Sequence, residues 1–188
     1  GNNIDVWNEN WDPSDSSNHY YRHAQTLAGS GMINAVVSMD TTDSSRYVFA
    51  ASSAAISVWR ARSGSYSLHE TLIGHSFKAL ATDSTSTMLS ASADGTIKAW
   101  REGTGCEAHV GGTWCVAQNL CHDATATKNC KATVSGASIN ALASTDGQGV
   151  YSGSADGQVT HWQSSYYTPT VLGRINGAVR ASVVARRH

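Results

Sequence analysis

Proline is nearly absent: Pro13 and Pro169 are the only two in 188 residues. Glycine, serine, threonine and alanine are abundant instead, a composition that suits short strands and tight turns better than long helices. Charge is also sparse, at 14% of residues with a formal net charge of −1 and a pI near 6.8. Such a balance leaves no strongly basic or acidic field to hold nucleic acid or an anionic membrane. The local basic cluster of Arg174, Arg180, Arg186 and Arg187 reads as a solvated tail. No apolar run approaches the length of a membrane span, and no basic-then-apolar leader opens the chain. There is no N-x-[ST] sequon, no G-x-S-x-G elbow and no glycine-rich G-K-[ST] loop. His69-Glu70 has no second histidine four residues on, so it is no zinc-protease signature.

What the chain does have is a repeat. "SADGTIKAW" (92–100) returns as "SADGQVTHW" (154–162). Aligned on tryptophan, one strand occurs four times: "NIDVW" ending at Trp7, "AISVW" at Trp59, "TIKAW" at Trp100 and "QVTHW" at Trp162. Ile4, Ile56, Ile97 and Val159 share a register, and the alternation is that of a half-buried strand. A second strand precedes the turn in "VFAASSAA" (48–55), "MLSASADG" (88–95) and "VYSGSADG" (150–157). Asp-Gly between alternating runs marks a hairpin, because glycine takes positive φ without steric cost. A third strand lies upstream in "INAVVSM" (33–39), "FKALAT" (77–82) and "INALAST" (139–145), and "VRASVVA" (179–185) starts a fourth copy. Trp59 and Trp100 are 41 residues apart, within the ~40–45 of a four-stranded propeller blade.

These residues resemble the WD40-repeat family. The copy at 74–100 carries the pattern most fully: Gly74-His75, then Ser90, Asp94 and Trp100. The resemblance implies an all-β propeller of four-stranded antiparallel blades. It also implies a hydrogen-bonded structural tetrad of His75, Ser90, Asp94 and Trp100. The third copy keeps Ser152, Asp156 and Trp162 but has Ala137 in the histidine position. The first keeps Trp59, with Ala50 in the serine position and Gly31 in the histidine position. No copy ends in the Trp-Asp pair that names the family.

The repeat divides the chain as follows. Residues 1–7 are the third strand of a preceding blade and 8–22 a loop insert. Blades follow at 23–66 with Trp59 and 67–100 with Trp100. A cysteine-containing loop insert spans 101–129, a blade with Trp162 spans 130–162, and 163–188 supplies an outer strand and the first strand of a next blade. About three whole blades with an incomplete one at each end fall short of the usual 4–8. A segment of a longer propeller, or a ring completed by another chain, is therefore expected over a small self-contained propeller. The open ends would be apolar faces and unpaired edges.

His75, Asp94 and Ser90 are also the residue types of a hydrolase triad, but their spacing is that of the structural tetrad. Cys106, Cys115, Cys121 and Cys130 fall in one insert, with His109 and His122 among them. Their spacing is not that of a zinc knuckle. Two disulfides are possible, and reduced thiols fit an intracellular, cytoplasmic protein. His19 and His23, four apart, could share one side of a helical turn, but "SDSSNHYYRH" reads as a surface loop. No metal or cofactor is assigned.

Segments 8–22, 101–129 and 163–167 all follow a third strand and should decorate one face. They carry Trp11, Tyr20, Tyr21, Trp114, Tyr166 and Tyr167, aromatics outside the repeat core that suit a protein-contact surface. The reading is a non-catalytic scaffold whose partners are other protein subunits, together with the chain or sequence that completes the propeller, and neither nucleic acid nor membrane. The alternative is the substrate-recruiting segment of a larger enzyme complex, a ubiquitin ligase or a WD40-linked kinase. An enzyme using the cysteine-histidine insert ranks last.

Overall fold

The computed structural model describes residues 2–12, 15–41, 44–74, 76–83, 87–102, 107–108, 114–121, 137–145, 149–163 and 168–180. The regular structure there is entirely strand. β1 (Asn3–Asp12) and β2 (Asp15–Ala28) form a two-stranded antiparallel sheet. β3 (Ala35–Asp40), β4 (Arg46–Ala51), β5 (Ile56–Arg62) and β6 (Ser65–Leu72) form a four-stranded meander. β7 (Phe77–Asp83), β8 (Thr87–Ser92) and β9 (Thr96–Glu102) continue, past the short β10 (Glu107–Ala108), to β11 (Trp114–Cys121). β11 pairs with β9, and β10 adds outside it. β12 (Ile139–Thr145), β13 (Gly149–Ser154), β14 (Gln158–Gln163) and β15 (Thr168–Arg174) make the last meander.

The turns explain the hairpins. Ser63 and Gly64 join β5 to β6 with φ of 50° and 83°, two successive left-handed residues as a tight two-residue hairpin requires. Gly95 and Gly157 close the β8–β9 and β13–β14 turns at φ of 82° and 85°. At Gly157 a Cβ would also stand 2.1 Å from the Ile175 carbonyl oxygen, so backbone approach as well as φ excludes a side chain there.

Side chains alternate between two neighbouring sheets, and this alternation builds the core. Tyr47, Phe49, Ile56, Val58 and Leu72 face forward and pack against Phe77, Leu80, Met88 and Trp100 of the next blade. Leu89, Ala91, Ile97 and Ala99 in turn meet Ile139, Leu142, Val150 and Trp162. Trp59, Val48 and Ala50 face back onto Leu27, with Ile4 and Val6 of β1. Each blade's tryptophan is thus the wedge driven into the blade before it. Burying such a ring contributes on the order of 2–3 kcal/mol.

Three boundaries read from the sequence are corrected. Residues 8–22, expected to be a loop insert, lie largely in β1 and β2, which pair as far as Asp12 opposite Asp15. Their polar sequence hid strands that the β1–β2 ladder pairs. Residues 101–129 likewise contain β10 and β11, the outer strands of the Trp100 blade. The boundary at 66/67 cuts through β6, whose register places all of Ser65–Leu72 beside β5 in the Trp59 blade. The sequence repeat is therefore one strand out of phase with the sheet. "VRASVVA" lies mostly outside the described residues. Its first residue, Val179, donates its N–H to the Ser154 carbonyl at 3.0 Å, much as Phe77 bonds Ser53 at 3.3 Å.

Candidate functional site

The tetrad positions are set by strand register. Trp100 lies opposite Met88, and Ser90 is two residues further along β8. Trp162 lies opposite Val150, and Ser152 is again two further. That offset carries each indole over its serine. Trp100 Nε1 donates to Ser90 Oγ at 2.8 Å, and Trp162 Nε1 to Ser152 Oγ at 2.8 Å. Both serines are fully buried. In the first blade Trp59 lies opposite Val48, so the register places Ala50, which offers no acceptor, in the serine position. Lys98 braces the Trp100 ring from outside, its Nζ 5.9 Å from the ring centroid while donating to the Gly74 carbonyl at 3.1 Å.

His75 lies outside the described residues. Asp94 shapes its own turn, accepting from Thr96 N at 2.9 Å and Thr96 Oγ1 at 2.6 Å. Asp156 sits where no histidine is available, since Ala137 takes that position. Its carboxylate accepts from Ser154 Oγ and pairs with Arg174 Nη2 at 3.1 Å. Arg174 thus comes from the outer strand of the same blade.

One set of residues escaped the sequence reading. Ser52, Ser92 and Ser154 stand two positions after Ala50, Ser90 and Ser152, and all three are buried. Ser52 Oγ accepts from Ala54 N and Ala55 N, Ser92 Oγ from Asp94 N, and Ser154 Oγ from Gln158 N, at 3.1–3.3 Å. Each caps the turn into the tryptophan strand. The signal was present as a serine in all three copies, even where the first serine had become alanine.

At the end of the blades where β3–β4 and β5–β6 turn, the surface is polar. Asp40 accepts from Arg46 Nε at 2.7 Å and Nη2 at 3.2 Å, a two-pronged pair across the β3–β4 turn. The hydrogen bond and charge of Arg46 hold the Asp40 carboxyl below its ordinary value and raise Arg46 in return. Asn8, Asp40, Thr41, Arg46 and Tyr66 line a cleft of about 500 Å³ between β1 and the Trp59 blade. Where the family's motif has aspartate after tryptophan, this chain has Arg60 and Arg101. Each ties its strand to a hydroxyl in or beside the preceding turn, Arg60 Nη2 to Ser45 Oγ at 2.6 Å and Arg101 Nε to Thr87 Oγ1 at 2.8 Å.

Of the aromatic candidates, Tyr21 is exposed in β2. Trp11 and Tyr20 pair in the β1–β2 ladder opposite His19 and Asn10, and Trp114 opens β11 opposite Glu102. The side chains of these three, and Tyr166 and Tyr167 altogether, lie outside the described residues. His19 and His23 are in strand β2, not on a helical turn. His23 Nε2 lies 3.1 Å from Thr26 Oγ1 and 3.4 Å from Asp5. Cys115 and Cys121 lie in β11, and Cys106 and Cys130 lie outside the described residues, as do all four thiols. No group of metal-binding side chains occurs among the described residues. No helix there is long and apolar enough to cross a membrane.

The family model for the WD domain, G-beta repeat, matches residues 66–101 and 128–163. The first match begins in the outer strand β6, and both end just after a tryptophan. No curated protein sequence matches the chain. Among solved structures, Sqt1 from Chaetomium thermophilum aligns at a TM-score of 0.62 and 15% identity, over 94% of this chain and 44% of that one. A chain of apo ctPRC2 in an autoinhibited state aligns at 0.68 and 16%, over 98% and 41%. A chain of the Chaetomium thermophilum polycomb repressive complex 2 aligns at 0.63 and 16%, over 96% and 34%. The chain therefore spans less than half the length of each of these structures. At such identities the likeness shows the fold alone.

Proposed function

From the premise that this chain carries WD40 repeats and folds as blades of a WD40 propeller, we propose that it is a non-catalytic scaffold for other protein subunits. One observation carries the reading. The two triad-like residues that are described, Ser90 and Asp94, are both spent inside their own blade. Ser90, the triad-like hydroxyl, is fully buried and accepts from Trp100. A hydroxyl so placed has no path to a substrate, since a nucleophile must reach both a base and a reacting atom.

The contact surface we assign is the end of the blades that bears the β1–β2 hairpin tip, the turn end where Glu102 faces Trp114, and residues 163–167. Aromatics are enriched at protein interfaces, and long excursions from a rigid sheet are where binding residues collect. Tyr21, with Trp11, Tyr20, Trp114, Tyr166 and Tyr167, would supply the anchors. Partner subunits are the expected ligands, in an intracellular setting. The likeness to chains of a multisubunit complex accords with this role without naming a partner.

The test is cross-linking and co-purification from the native source, with Tyr21→Ala, Trp114→Ala and Tyr166→Ala chains compared with the unaltered one. Loss of the same cross-linked partner, with unfolding midpoints unchanged, is the expected result. Retention of every partner by all three variants would overturn the assigned surface. The denatured mass of the native protein settles a separate point. A mass of roughly 35 kDa or more, enough for about seven to eight blades, means that the same chain completes the ring.

A further inference from the structure

We propose that Asn176 is a site of spontaneous deamidation through a succinimide closed by the Gly177 nitrogen. The isoaspartate it yields loosens the link after β15 where that link crosses the β13–β14 turn. The inference needs no partner and goes beyond the scaffold reading.

The chemistry follows from the residue pair. The Gly177 backbone nitrogen attacks Asn176 Cγ. A bond forms between them, the bond from Cγ to Nδ2 breaks, and ammonia leaves. The proton lost from the Gly177 nitrogen to hydroxide is matched by the one that ammonia takes from water. Water then opens the imide at either carbonyl. Addition at Cγ gives aspartate. Addition at the main-chain carbonyl of Asn176 gives isoaspartate, whose main chain runs through Cβ and Cγ and is one atom longer. A side chain on the following residue would crowd the attack, and glycine has none. Asn176 is the one asparagine of the chain that glycine follows.

The structure leaves this pair open to reaction. Asn176 and Gly177 are exposed, and neither hydrogen-bonds to another described residue. The described Asp-Gly pairs are tied down. Gly95 N donates to the Ser92 carbonyl at 3.3 Å and Gly157 N to the Ser154 carbonyl at 3.2 Å. The carboxylates of Asp94 and Asp156 are held by Thr96 and Arg174. The exposure is a property of the link itself. Ile73 and Gly74, which precede Phe77 as Ile175 and Asn176 precede Val179, are exposed even though the blades on both sides of them are packed together. The link lies at the end of the blades that carries the β8–β9 and β13–β14 turns, opposite the contact surface assigned above.

The consequence follows from two anchors. Ile175 N donates to the Gly157 carbonyl and Val179 N to the Ser154 carbonyl, each at 3.0 Å. Between them the backbone lies flat on the turn: a Cβ at Gly157 would stand 2.1 Å from the Ile175 carbonyl oxygen and 2.7 Å from that of Gly177. The Val179 side chain is seated as closely on Gly153, where a Cβ would meet Val179 Cγ1 at 2.2 Å. An added main-chain atom must be taken up by one anchor or the other.

The experiment ages the purified full chain in mildly alkaline buffer, folded and in parallel in urea. Trypsin then releases residues 175–180 by cutting after Arg174 and Arg180. Conversion of Asn176 in the folded chain is expected within about tenfold of its rate in urea, in proportion to hydroxide, with isoaspartate in excess of aspartate. Conversion in urea alone overturns the site, because the fold would then protect it. Aspartate without isoaspartate overturns the succinimide. Gly177→Ala should slow conversion about tenfold or more, and an unchanged rate overturns the attack by the Gly177 nitrogen. Gly177 has a φ of 110°, where alanine is strained, so the urea sample supplies this comparison if the variant does not fold. For the loosening, the isoaspartyl chain is compared with Asn176→Asp, which has the charge without the added atom. Hydrogen exchange at Ile175 or Val179 should quicken about threefold or more in the isoaspartyl chain alone. Equal exchange in the two chains overturns the loosening. No partner enters the assay, so it and the scaffold reading fail separately.

Discussion

Trp100 donates its indole N–H to Ser90 Oγ at 2.8 Å between adjacent strands, with both residues fully buried. The bond fixes the wedge that each blade drives into its predecessor. Ser90→Ala leaves a buried indole N–H without this acceptor, at an expected cost of about 1–3 kcal/mol. Trp100→Phe removes the donor and also loses ring volume. In the double variant the two losses should not add, and a coupling of about 0.5–1.5 kcal/mol in urea unfolding would measure the bond itself. Strict additivity would mean that the contact contributes nothing.

The first blade offers the reverse experiment. Ala50 stands where the other two copies have serine, and Trp59 packs against it in the same cluster. Ala50→Ser supplies the acceptor at the cost of one added atom in a tight core. A gain of about 0.5–1 kcal/mol is expected, read as a raised urea midpoint at unchanged slope. The same substitution combined with Trp59→Phe should lose the gain. A gain that survived Trp59→Phe would trace to something other than the bond.

The two serine positions show what a sequence displays and what it conceals. Ser90, Ser152 and their tryptophans were legible because their strands are buried on both faces, so the same few side chains recur in each copy. Outer strands are not under that constraint. Buried and exposed positions mix along β6, and β2 opens with the polar run "DSSNHYYRHAQ". Their place is decided by pairing with β5 and β1, a tertiary fact that no local pattern carries. For that reason 8–22 and 101–129 read as loops, and the boundary at 66/67 cut a strand. The capping serines Ser52, Ser92 and Ser154 were visible but overshadowed by the Asp-Gly beside two of them. The cleft beside Asn8 brings β1 next to the β3–β4 turn, a neighbourhood that the order of residues does not announce.

Gln25 should be the hinge pin of the N-terminal hairpin. Its side-chain amide donates to the Tyr66 carbonyl at 2.7 Å and accepts from the Tyr66 N–H at 2.8 Å. One side chain thus stands in for a strand pair between β2 and β6. Gln25→Ala removes both bonds, and about 1–3 kcal/mol of local stability should go with them. Hydrogen exchange should quicken in β1 and β2 and stay unchanged in β12–β14, because opening is local. Uniform quickening through all the blades would show that the hairpin unfolds only with the whole.

The Asp40–Arg46 pair predicts a small acid-sensitive term of known sign. The arginine's hydrogen bond and charge depress the Asp40 carboxyl in the folded state. A depressed carboxyl stabilises the fold above its unfolded pKa and loses that contribution as pH falls through the lower folded one. The window therefore lies below about pH 4. Both side chains are more than half exposed, so solvent screening limits the contribution to about 0.2–1 kcal/mol. Urea midpoints of the unaltered chain and Asp40→Asn should differ at pH 6, and the difference should shrink as pH falls below about 4. At pH 6, salt near 1 M should shrink the difference, because the Debye length falls to about 3 Å. A difference that did not shrink at all below about pH 4 would assign the effect of Asp40 to packing at the β3–β4 turn rather than to its charge.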